Sequence, residues 1–251
     1  MVLNFFFILL LSLFVSNNSV RGSTDPINFT TGEWGKLLGK DLKDKGCLAK
    51  TLKESYGSIH KNIELTFMVW SGAFERAKAG RHDGSIYWYK TDERLKHFIY
   101  PKNHIRTDSL YFYYKRSKLM NLKSWRDLIG KRVVINESYY YPKQFIEYAK
   151  ENNIELIKLS TEEQMVNFTN LDRADVFISA EKVISSLDLI HFKKSSIAPL
   201  KLCGYVIFPV LKKLSQKHAN DFDKGFYKFM RTSKGEQLAK SCPGLNKSPI
   251  R

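Results

Sequence analysis

Apolar residues recur along this chain with two different periods. Over residues 47–56 (CLAKTLKESY) they fall at helical spacing, whereas over 63–70 (IELTFMVW) they alternate among β-favouring side chains and predict a strand. Residues 71–79 read as a helix that Gly80 stops, Gly84–Tyr89 as the next strand, and 92–98 as a short helix. Arg106–Lys115 (RTDSLYFYYK) is aromatic and extended. The alternation then restarts. Ser124 caps and Gly130 ends a short helix, Arg132–Asn136 (RVVIN) is a strand, and 142–152 is a helix with Pro142 near its first turn. Residues 154–159, 174–179 and 202–208 read as strands, and 161–170 and 181–187 as helices. The longest amphipathic helix covers 214–231, and a shorter one covers 234–240. Residues 23–45 read as turn-rich. Alternating strands and helices imply an α/β fold with mostly parallel sheets, and the sets before and after residue 110 look like two units.

The chain start alters this picture. Residues 5–15 (FFFILLLSLFV) are apolar except for Ser12, about half the ~20 residues that a bilayer span needs. With Val20-Arg21-Gly22 after it, 1–22 reads as a cleaved export signal, and the mature chain is expected in the periplasm or secreted. The opening MVLN carries no Lys or Arg, so an uncleaved anchor is the competing reading. Export permits one disulfide among Cys47, Cys203 and Cys242 and leaves one thiol, without indicating which pair forms. The 6 histidines lack metal-ligand spacing, and there is no HExxH, GxSxG, Walker-A or GxGxxG motif. No metal or cofactor is therefore expected. The net charge of +16, from 41 Lys+Arg against 25 Asp+Glu, admits an anionic partner. The basic residues are spread, as in KLLGKDLKDK and LKKLSQKH, and read as a solvated surface rather than a nucleic-acid interface.

Several short motifs occur in a telling order. Thr30-Thr31-Gly32-Glu33-Trp34 precedes a strand ending at Trp70, and a helix closed by Gly80 leads to Asp83-Gly84. Thr91-Asp92-Glu93-Arg94, Asp127-Leu128-Ile129-Gly130-Lys131 and Asp172-Arg173-Ala174-Asp175 follow. Each is weak alone. Together, over nearly the whole mature chain, they resemble the extracellular solute-binding proteins of family 3, receptors for amino acids and similar polar solutes. The resemblance implies a two-lobed type II periplasmic binding protein. Each lobe would be a mostly parallel sheet flanked by helices, joined by a two-strand hinge. Lobe 1 would comprise 23–108 and 201–251, and lobe 2 would comprise 109–200. A small polar or carboxylate solute would bind between the lobes, which close over it. Such a monomer would serve an ABC permease in the inner membrane.

The resemblance also assigns roles. Arg94 matches the arginine that grips a solute carboxylate, which suits an always-charged fork. Trp34 and Trp70 match two aromatic positions that sandwich the solute. Tyr89 and Thr91 lie beside Arg94, while Ser138 and Tyr140 follow the RVVIN strand at a helix start that favours anions. Three features depart from the family, one of them Gly72, where a close subgroup carries arginine. Tyr87-Trp88-Tyr89 and Tyr139-Tyr140-Tyr141 put bulk where small polar residues are usual. The position of an amine-binding aspartate is Ala180, next to Glu181, which could substitute. An amino-acid ligand is thereby in doubt. The competing classes are a dehydratase-like enzyme of the same fold, drawing on Glu181 or Glu33, and a sensor or binding module without a transporter.

Overall fold

Runs of β-favouring side chains form the strands of one ten-stranded sheet in the computed structural model, which describes residues 25–137, 139–180 and 190–251. Its main path runs β2 (Ile63–Phe67), β1 (Ile27–Thr31), β3 (Gly84–Tyr89), β10 (Leu200–Pro209), β5 (Arg106–Lys115), β8 (Val176–Ala180), β6 (Arg132–Asn136) and β7 (Glu155–Leu159). The short β4 (Phe98–Ile99) adds to β10, and β9 (Phe192–Lys194) adds to β5. β2, β1 and β3 are parallel at one end, as are β7, β6 and β8 at the other. Between them, β5 and β10 run antiparallel to each other and to their outer neighbours.

β5 and β10 pair from Leu110↔Leu200 to Arg106↔Gly204, then part. β10 continues along β3, while β5 continues along β8. These two strands therefore belong to both arms of the sheet, and the fold is two-lobed. One lobe packs α1 (Cys47–Gly57) and α6 (Ser215–Met230) over Phe29, Ile86 and Phe208. The buried face of α1 carries Leu48, Leu52, Ser55 and Tyr56, the stripe that helical periodicity predicts. α1 and α6 cross closely at Gly225, where an added Cβ would lie 2.1 Å from the Ser55 carbonyl oxygen. The second lobe packs α4 (Lys143–Glu151) over Phe112, Val133 and Ile178, and α5 (Glu162–Asn170) over Val134 and Phe177.

The structure corrects the expected boundaries. Ile27–Thr31 is a strand within the stretch expected to be turns; Asn28, Thr30 and Thr31 disguise it, although Thr30 and Thr31 are fully buried. The strand expected to reach Trp70 stops at Phe67, and Trp70 opens α2 (Trp70–Lys78). The short helix near residue 92 is only α3 (Asp92–Leu95), followed by β4. The expected helix over 181–187 and the export signal over 1–22 lie outside the described residues.

The disulfide joins Cys47, at the start of α1, to Cys242, just after α7 (Ser233–Ser241), and leaves Cys203 free. It spans a separation of 195 residues, so it restricts the unfolded chain strongly. Replacing both cysteines with alanine is expected to cost about 2–5 kcal/mol of unfolding free energy in urea titration. An unchanged midpoint would show that the bond contributes nothing.

Candidate functional site

The parting of β5 and β10 leaves a cleft of about 420 Å³ between the lobes. The first lobe lines it with Trp34, Trp70, Trp88 and Arg94, and the β6–α4 connection adds Tyr139 and Tyr140. Leu110 and Leu202 form part of its lining from the paired strands, and Ala180 contributes from the end of β8.

A polar cluster lies on the cleft lining at β5. Arg106 and Asp108 are only 7% and 5% exposed, and they form an ion pair through Arg106 Nη1 and Asp108 Oδ1. Tyr87 and Tyr89 both donate their hydroxyls to Asp108 Oδ2, Tyr89 at 2.7 Å. Arg106 Nη1 also donates to the Tyr87 hydroxyl at 2.7 Å, and its Nε donates to the Pro243 carbonyl at 2.9 Å. Burial first, with Asp108 adding to it, pushes both phenols well above the usual tyrosine range, so they stay protonated donors.

A bulge in β3 delivers Tyr87 to this cluster. Trp88 pairs with Tyr205 and Ile86 with Val206, so Tyr87 is the extra residue, at φ 75° in the left-handed region. Gly204 makes room for it, since a Cβ there would meet the Tyr87 ring at 2.6 Å. Trp88, between the two tyrosines, packs with Ala73, Ala77, Phe98 and Ile207 and donates its indole N–H to Ser85 Oγ at 2.7 Å.

Arg94 is positioned by aromatic faces. Its guanidinium carbon lies 5.1 Å from the Trp88 ring centre and 5.9 Å from that of Phe74, and Nη1 donates to the Tyr89 carbonyl at 2.8 Å. No carboxylate among the described residues forms an ion pair with it. Burial pulls its pKa below the ordinary arginine value, yet arginine remains charged at neutral pH. Arg94, Trp70 and Trp88 also line a second, more open cavity of about 300 Å³, together with Ser71, Phe74, Glu75 and Glu93.

The residues expected at the site separate into three groups. Trp34, Trp70, Tyr89, Arg94 and Tyr140 all line the cleft. Thr91 sits one step behind it, where its hydroxyl caps α3 by accepting the Arg94 N–H at 3.2 Å. Ser138 and Glu181 lie outside the described residues. Glu33 is exposed, and its carbonyl accepts the Trp70 indole N–H at 3.1 Å. Sequence reasoning missed Asp108 and Arg106, whose alternation within RTDSLYFYYK carried the only sign that they share a face. Two aromatic contacts bridge the lobes: Trp34 to Tyr139 with centroids 5.6 Å apart, and Tyr89 to Tyr140 at 6.1 Å.

Two lobes joined by paired crossover strands, with a cleft between them, define the periplasmic binding protein fold. Solved structures of that fold resemble this chain over most of their length. The probable amino-acid ABC transporter extracellular-binding protein ytmK of Bacillus subtilis is 16% identical, with a TM-score of 0.70 over 86% of this chain and 97% of its own. A histidine kinase sensor domain with similarity to periplasmic binding proteins is 14% identical, with a TM-score of 0.67 over 88% and 96%. A putative L-cystine ABC transporter structure from Listeria monocytogenes is 19% identical, with a TM-score of 0.62 over 86% and 94%. At such identities the likeness establishes the fold alone. No protein-family model and no curated protein matches the chain.

Removing Asp108 leaves Arg106 buried without its counter-ion. Asp108→Ala is expected to destabilise the protein by about 3–5 kcal/mol, whereas Tyr89→Phe should cost only about 0.5–1.5 kcal/mol. Chemical denaturation of the two variants measures both. Equal, small losses would show that the ion pair does not hold the hinge strands.

Proposed function

We propose that this chain is an exported solute-binding protein that captures a small carboxylate-bearing solute between its two lobes. The observation that carries the reading is Arg94: a half-buried guanidinium on the cleft wall, held by Trp88, Phe74 and the Tyr89 carbonyl rather than by an acid. A fork fixed in this way retains donors for a carboxylate. Trp34 and Trp70 supply apolar walls, and Tyr140 adds to the lining from the second lobe. Hinge motion would occur in β5 and β10, with the lobe boundaries near 108/109 and 200/201. Delivery to an ABC permease in the inner membrane is the accompanying role, with the protein acting as a monomer in the periplasm or outside the cell. The amino-acid transporter proteins that share the fold support this reading.

A sensor without a transporter is the second reading, favoured by the histidine kinase sensor domain of the same fold. An enzyme needs an acid or base that reaches the solute. Among the residues lining the cleft Asp108 is the single described carboxylate, and it is already held by Arg106, Tyr87 and Tyr89. Glu162 is pushed up in pKa by burial, but both of its carboxyl oxygens are buried.

Thermal unfolding against a panel of small carboxylates tests the proposal. A cognate solute should raise Tm with concentration by mass action. Arg94→Ala should weaken binding about 10–100-fold, the loss of one charge-assisted contact of about 1.5–3 kcal/mol. A shift of full size in Arg94→Ala would refute Arg94 as the grip.

A further inference from the structure

Resting on the solute-binding reading, we infer that the solute is an aromatic monocarboxylate without an ammonium group. The cleft walls carry seven aromatic side chains from both lobes, among them Trp34, Trp70, Trp88 and Tyr140, and its hinge side adds Leu110 and Leu202. Such walls match a flat apolar body in offset or edge-on contact. The polar partners within reach are selective about charge. An anion meets Arg94, whose fork is positioned without a carboxylate.

A solute ammonium would instead need a counter-charge, and Asp108, the one carboxylate among the described lining residues, is engaged. Asp108 Oδ2 receives two phenolic hydroxyls and Oδ1 receives Arg106. The Tyr89 carbonyl accepts Arg94 at 2.8 Å and Tyr100 at 3.3 Å, which occupies both lone pairs. The Glu33 carbonyl accepts the Trp70 indole N–H. Counting Arg106 against Asp108, the described cleft lining retains one net positive charge, on Arg94. An ammonium brought there loses water without meeting a free carboxylate among the described lining residues, beside a like charge. Ala180, a methyl group at the end of β8, lines the same cleft without offering a carboxylate.

The test is a matched pair that differs only in the α-ammonium: 3-phenylpropionate and L-phenylalanine, titrated calorimetrically into the wild-type protein and into Arg94→Ala. The expected result is measurable binding of 3-phenylpropionate, at least tenfold weaker binding of L-phenylalanine, and loss of 3-phenylpropionate binding in Arg94→Ala. L-Phenylalanine binding equally or more tightly would overturn the inference while leaving the solute-binding reading intact. Binding of 3-phenylpropionate unaffected by Arg94→Ala would overturn it as well, because the carboxylate would not be the recognised group. If neither compound binds while an aliphatic dicarboxylate or an amino acid from the same panel does, the aromatic assignment fails and the reading stands. If no member of the panel binds, both fail.

Discussion

The ion pair between Arg106 and Asp108 is the constraint on which the architecture turns. It sits on one of the two strands shared by the lobes, buried, where a charge is tolerated only with a partner. Tyr87 and Tyr89 complete it from β3, and Pro243 completes it from the chain end. Three separate stretches of sequence thus meet at the root of the cleft. The bulge at Tyr87 and the missing side chain at Gly204 are the backbone adjustments that allow the meeting.

That arrangement separates two kinds of charge in one site. The charges at the hinge neutralise each other and belong to the scaffold. The charge on Arg94 is supported by ring faces and a carbonyl, interactions that orient a cation without cancelling it. The proposed recognition of an anion rests on this division. Trp34 with Tyr139 and Tyr89 with Tyr140 bring the two lobes into contact through their rings, so the same rings that would enclose a solute also touch each other.

Much of this was legible in the sequence because the relevant signals are local. Helical spacing located α1 and α6, and short β-favouring runs located β3, β5 and β6. The Thr-x-x-Arg spacing placed Arg94 one turn from its cap, and the family resemblance indicated its direction toward a cleft. What escaped depends on distant contacts. β1 is short and rich in Asn and Thr, and its strand character comes from pairing with β2 and β3. Asp108 looks like an ordinary solvent-facing acid in RTDSLYFYYK until β3 and the Pro243 segment fold over it. The Cys47–Cys242 pair is likewise fixed by α1 and α7 meeting in one core, which no spacing encodes.

The central claim is that the cleft takes an anion between two lobes. Mass spectrometry of the protein purified under native conditions, followed by identification of whatever small molecule unfolding releases, addresses it most directly. The account predicts a stoichiometric small carboxylate, lost from protein carrying Arg94→Ala. Release of a cationic or zwitterionic solute at the same stoichiometry from both proteins would contradict it.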